Sequence, residues 1–187
     1  SGSDHDMTEM LRCIHDIVGT LMYAENFFIV LRNLARDTVH IPYFVDVLDV
    51  RPFEEASLES IEHSCTWYVL HDASPLRGNN RQLHTQVSGP LLTVGTESYD
   101  WLGVPMLRDG EALGAIVVQS YQPGIDFTAA DQALLEFVAS HILTALERKR
   151  STVLLEHNVK LRTQQLAEAN LGLQQEVIER ERAERLQ

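Results

Sequence analysis

The sequence predicts an α+β fold, an antiparallel sheet between an amphipathic helix at its start and a very long helix at its end. Three observations carry this. Residues 101–121, WLGVPMLRDGEALGAIVVQSY, are two apolar runs hinged on Asp109-Gly110, a pair that supplies the positive φ angles of a tight hairpin turn. Residues 38–48 alternate, with Val39, Ile41, Tyr43, Val45 and Val47 on one face and Thr38, His40, Pro42, Phe44, Asp46 and Leu48 on the other. That period marks a strand with one apolar and one mixed face. From Thr128 onward the chain runs to its end without proline and with the single glycine Gly172, and at about 1.5 Å per residue such a helix would reach roughly 90 Å.

The elements follow in order. Met7, Met10, Leu11, Ile14, Ile17, Val18 and Leu21 fall at helical spacing over residues 4–22, with acidic residues in the first turn. NFFIVLRN reads as a strand before the alternating one. Residues 57–72 read as helical around Trp67, Tyr68, Val69 and Leu70, and residues 79–87 as a short helix in a polar loop. In the hairpin, Leu113, Ala115 and Val117 oppose Ile116 and Val118, so this strand should be central and covered on both sides. Its partner carries Pro105, which has no N–H and must sit where no ladder bond is needed. Thr128 is the expected N-cap of the long helix, with Asp131 in capping-box position.

The long helix needs a partner. Val138, Ala145, Thr152, Val159, Leu166 and Leu173 recur every seven residues, and the companion row holds Ile142 and Val177 but also Lys149, Glu156, Thr163 and Asn170. A seam that is polar in its middle predicts a parallel homodimer of modest stability, since polar core positions fix register at a cost. The expected dimer contacts are Leu11 and Ile14 of the first helix with Val138, Ile142, Ala145, Val159, Leu166 and Leu173 of the last.

Composition narrows the function. At 187 residues and 44% hydrophobic content the chain can bury one core with an appendage. No apolar run approaches the ~18 residues of a membrane span, and the start lacks the basic-then-apolar pattern of a secretory signal. Ser1-Gly2-Ser3 reads as a vector remnant, and the charged helical pattern at Gln187 leads us to expect a longer protein with an output domain beyond it. Through Leu146 there are 7 basic and 20 acidic residues, a balance of −13, and from Glu147 there are 8 basic and 7 acidic, a balance of +1. An acidic surface repels phosphate backbones, so nucleic acid is not an expected partner. Cys13 and Cys65 form no CxxC and no zinc spacing, which fits a reducing, cytoplasmic setting.

The stretch DWLGVPMLRDGEALGAIVVQSYQPGIDFTAADQALLEFVASHILTALERKR resembles the C-terminal half of a GAF domain, and YAENFFIVLRN, IPYFVDVLD and TWYVL resemble its first half. The tail LAEANLGLQQEVIERERAERLQ is similar to signalling-helix linkers that join GAF or PAS domains to GGDEF diguanylate cyclases or histidine kinases. The resemblance implies a six-stranded antiparallel sheet, with the first and last helices on one face as a dimer bundle and a small-molecule pocket on the other. It implies a GAF domain at residues 4–150, a coiled-coil linker at 151–187, and a sensor feeding a cyclic di-GMP output. On this reading the uniformly apolar face of residues 39–47 takes the helices, and Phe44 and Asp46 face the pocket. A ligand-free dimerisation scaffold of a histidine kinase or similar protein is the alternative, and a GAF-fold enzyme stands behind both.

Phe28, Phe44, Trp67, Tyr99 and Trp101 are candidates to line a ligand cavity, and Asp46 and His71 to orient a polar ligand; ordinary core packing and solvated surface are the competing roles. His5, His15, His40, His63, His71, His84, His141 and His157 form no HxH or HxxxH pair, so no metal is expected. HNVKLRT, residues 157–163, echoes a histidine-kinase phosphoacceptor box, yet Asn158 stands in the acidic place and Gln164 where proline would be. A methionine sulfoxide reductase of this fold needs cysteines that can meet, and two distant ones read as small buried hydrophobes. No catalytic residue and no cofactor are expected in these residues.

Overall fold

The computed structural model describes residues 2–186, leaving Ser1 and Gln187 outside the described residues. The elements are α1 (Gly2–Leu21), β1 (Asn26–Asn33), β2 (Thr38–Val45), β3 (Glu55–Ser57), α2 (Cys65–Asp72), β4 (Leu76–Gly78), α3 (Asn80–Gln86), β5 (Asp100–Arg108), β6 (Glu111–Ser120) and α4 (Ala129–Arg185). The six strands form one sheet in the order β3-β2-β1-β6-β5-β4, and every neighbouring pair is antiparallel.

The hairpin forms as the sequence predicts. Asp109 and Gly110 both take positive φ, 49° and 79°, and β6 lies near the sheet centre between β1 and β5, with its last seven residues buried. β4 reaches only Gly103 along β5, so Pro105 pairs with Ala115 on one side and meets no strand residue on the other. The capping box of α4 is reciprocal: Asp131 N–H donates to Thr128 Oγ1 at 3.2 Å, and Thr128 N–H donates to Asp131 Oδ2 at 2.8 Å.

Two expectations are corrected. Residues 57–72 are not one helix: β3 and a single 3-10 turn at Glu59–Ile61 come first, and α2 starts only at Cys65. Ser64 is the reason for the late start, because its side chain accepts from Trp67 N–H as N-cap, and Ala73 at φ 51° ends the helix. The second correction concerns β2. Ile29 pairs with Tyr43 but Leu31 with His40, so Val30 faces both Ile41 and Pro42 in a β-bulge. An extra residue reverses the alternation. Val39 and Ile41 therefore join the core under α2, whereas Tyr43 turns to α1, where its hydroxyl meets His15 Nδ1 at 2.8 Å. Val45 and Val47 of the supposed apolar face are exposed.

The bulge makes two cores. On one face Val30, Val39, Ile41, Ala115 and Val117 pack with Tyr68, Val69 and Leu70 of α2 and Leu83 of α3. On the other, Phe27, Ile29, Leu102, Val104, Ile116 and Val118 share the opposite register and are buried. His15 of α1 stacks on Phe27 there, at a centroid distance of 4.5 Å. α1 and the first turns of α4 contribute the buried Leu11, Val18, Leu135, Ala139 and Ile142. Leu11 and Ile142, expected at a dimer contact, are thus core residues of the chain itself, with Ile14 and Val138 half-buried.

A second compact unit begins at Ala145 and holds the remainder of α4, to Arg185. Its Ala145 is half-buried, and Val153, Val159, Leu166, Leu173 and Val177 are all exposed. Among the described residues no helix is long and apolar enough to cross a membrane.

Candidate functional site

On the α2 face of the sheet the side chains do not close completely, and a cavity of about 260 Å³ remains. Its floor is the sheet: Phe28 of β1, Phe44 of β2, Trp101 of β5 and Gln119 of β6. Phe28 and Phe44 are a cross-strand pair with centroids 5.5 Å apart, and the bulge is what brings Ile41 and Phe44, three residues apart, to the same cavity. Trp101 lies across Gly103, the next residue on its face of β5. The wall is the first turn of α2, with Ser64, Cys65 and Thr66, and the mouth is formed by two loops carrying Asp49, Val50, Pro52 and Phe53 and Leu92, Val94, Thr96 and Glu97. Val50, Leu92 and Val94 are exposed apolar residues at that mouth.

The loops are held by a carboxylate network. Asp46 Oδ1 accepts from the N–H groups of Leu48 and Asp49 at 2.9 and 2.8 Å, closing an Asx turn after β2. Asp46 Oδ2 accepts from Gln119 Nε2 at 2.8 Å, and the Tyr121 hydroxyl donates to the same carboxylate at 2.9 Å. Burial and the bond to Asp46 hold the Tyr121 hydroxyl well above the usual phenol range. Asp49 in turn accepts from Thr96 N–H at 2.9 Å and Thr96 Oγ1 at 2.6 Å, joining the two loops.

Of the residues singled out in the sequence, Phe28, Phe44 and Trp101 line the cavity. Asp46 stands one step behind, touching it through Gln119 and Asp49. Trp67 does not line it: its indole stacks on His71 at 4.3 Å, while the His71 ring nitrogen meets Asp72 at 2.8 Å. Tyr99 is 40% exposed and borders a separate polar groove beside Arg77 and Asp126. Sequence reasoning missed Asp49, Glu97 and Gln119; the signal available was the Asp46-x-x-Asp49 spacing of an Asx turn.

Reactive groups are few. Cys13, expected as a small buried hydrophobe, is instead exposed on α1, and Cys65 lines the cavity with burial pushing its thiol up to about 12. Among the described residues no three His, Cys, Asp or Glu side chains converge as a metal site would require. His157 is exposed on α4 with no neighbour arranged for phosphotransfer among the described contacts.

A six-stranded antiparallel sheet with terminal helices on one face and a cavity on the other is the architecture of small regulatory domains. The family model for the GAF domain matches residues 4–147, and the chain belongs to the GAF domain family. No curated protein matches it. Among solved structures it is similar to a segment of a methyl-accepting chemotaxis protein, at 15% identity and a TM-score of 0.60, covering 80% of this chain and 99% of that one. It is also similar to the second GAF domain of DevS from Mycobacterium smegmatis, at 15% identity and 0.56, covering 77% and 95%. A type II free methionine-R-sulfoxide reductase from Thermoplasma acidophilum is similar at 13% identity and 0.58, covering 75% and 92%. At such identities the likeness is one of fold.

Proposed function

We propose that this GAF domain is the sensory input module of a signalling protein, that its cavity takes a small molecule, and that α4 carries the resulting bias as one strand of a parallel dimeric coiled coil. The observation that carries the reading is the cavity, walled by aromatic side chains and roofed by two loops, on a sheet face that a filled core would otherwise occupy. A route for the bias lies beside it: Asp49 and Gln119 touch the cavity, Asp46 joins them to Tyr121, and Tyr121 opens the segment that leads to the N-cap of α4. A ligand moves such an arrangement only by its differential affinity for two states. The linker's similarity to signalling helices supports a diguanylate cyclase as the output and a cytoplasmic setting.

The reductase among the fold neighbours raises a catalytic reading. In this chain Cys13 belongs to α1 and Cys65 to the opposite face of the sheet, and the Cys65 thiol is held protonated. That pair supports regulation over redox chemistry. Native mass spectrometry with an absorption spectrum of the same freshly purified sample tests the reading. An added small mass on a dimer is the expected result; a monomer, or a bare dimer that no small molecule stabilises, would instead favour a monomeric domain or a ligand-free scaffold.

A further inference from the structure

Resting on the reading of the cavity as a ligand site, we infer that its ligand is a small organic cation, an ammonium group on an apolar body. Charge is the first argument. Among the described residues no Lys, Arg or His lines the cavity, while two carboxylates, Asp49 and Glu97, do. The nearest cation in sequence, Arg51, does not line the cavity; its guanidinium donates to Ile41 O at 3.3 Å and lies 3.9 Å from Glu54. An anion entering here would meet two carboxylates and no cationic side chain.

Hydrogen-bond polarity is the second argument. Gln119 is only 8% exposed and lines the cavity. One N–H of its Nε2 donates to Asp46 Oδ2 at 2.8 Å, and a carboxylate accepts, so the amide orientation is fixed and Oε1 is left as an acceptor. Two further donors are engaged with the carboxylates: Asn80 Nδ2 donates to Glu97 at 2.8 Å and the Thr96 hydroxyl to Asp49 at 2.6 Å. Gln119 Oε1 and the two carboxylates are acceptors at the polar end, and the hydroxyls of Ser64, Thr66, Thr93 and Ser98 that also line the space can accept as well as donate, so a group rich in N–H donors is complemented there.

The walls are the third argument. Phe28, Phe44, Phe53 and Trp101 surround the apolar part of the space, and aromatic faces attract ammonium groups while also burying the hydrocarbon attached to them.

The test uses three probes that share a phenylethyl body: 2-phenylethylammonium, 2-phenylethanol and 3-phenylpropionate, each titrated against the whole chain by ligand-observed saturation-transfer NMR. The expected order is cation first, by at least about tenfold over the alcohol, with no binding of the anion. Glu97→Gln, an exposed position, and Asp49→Asn should each weaken the cation severalfold and leave the alcohol unchanged. Equal or tighter binding of the alcohol or the anion would overturn the cation assignment while leaving the cavity a ligand site. Absence of binding by all three would overturn both.

Discussion

The indole of Trp101 lies so close over Gly103 that a Cβ built on that glycine would come within 2.6 Å of Cζ3. Glycine is required there because an aromatic ring occupies the space a side chain would take. Gly103→Ala should therefore lift the ring into the cavity it lines. We expect a loss of about 1–3 kcal/mol of stability, a changed Trp101 emission when measured in a Trp67→Phe background, and loss of any cavity ligand. An unchanged emission would show that the ring has another place to go.

Tyr121→Phe removes the hydroxyl that fastens Asp46 while leaving Gln119 and two backbone donors in place. Denaturant titration at neutral pH should show a loss of about 1–2 kcal/mol. The pH dependence has a definite sign. The folded hydroxyl is held above the ordinary phenol value by burial first and by Asp46 second. Its contribution is thus fully present below the unfolded value near 10 and is lost as pH rises above it, because the unfolded chain ionises first. Wild type should lose stability more steeply above about pH 10 than Tyr121→Phe does.

Asp100, 3% exposed, accepts from Phe127 N–H at 2.6 Å. Burial nevertheless raises its carboxyl above the usual range, with Asp126 adding to the effect and the Phe127 bond opposing it. A raised folded value means that stability from this group is complete below the unfolded value and falls as pH climbs through the folded one. Asp100→Asn, which keeps an acceptor, should be neutral or stabilising at pH 7, and any gain should disappear near pH 3. Urea midpoints at the two pH values decide it.

Leu166 and Leu173 are 69% and 60% exposed, whereas Leu135, on the same helix, is fully buried. Converting both exposed leucines to lysine should shift sedimentation from dimer to monomer and leave the midpoint of the globular unit in place. Leu135→Ala should instead cost about 2–5 kcal/mol of stability. Dimers that persist in the double lysine variant would remove the coiled-coil assignment.

Iodoacetamide at pH 8 should label Cys13 at least about a hundredfold faster than Cys65, since alkylation follows the thiolate and the Cys65 thiol is pushed up to about 12 by burial. Equal rates by peptide mass mapping would revive a reactive role for Cys65.

Much of this fold is readable from residue pattern because its strongest signals are local. Asp109-Gly110 needs only its own φ angles, and Thr128 with Asp131 only one another. The bulge opposite Val30 is not local: nothing in TVHIPYFV says that Ile41 and Pro42 share one partner, so strict alternation placed Val39 and Ile41 on the wrong face. The site divides the same way. Phe28, Phe44 and Trp101 are large, apolar and on strands, and pattern finds them. Gln119 and Glu97 gain their places through contacts across 73 and 17 residues, which no window on the sequence spans. Trp67 misled because an aromatic on an amphipathic helix reads alike whether it faces a cavity or a histidine.

A ligand in the cavity between the sheet and α2 is what the proposed sensory role requires. A saturation-transfer NMR screen of small aromatic and aliphatic amines against wild type and Thr66→Phe tests it most directly, because Thr66 lines the cavity from the first turn of α2 and a phenyl ring placed there would occupy it. Hits on wild type that vanish in the filled variant, with its thermal midpoint retained, are the predicted result. Hits that persist equally in Thr66→Phe, or none on wild type, would contradict it.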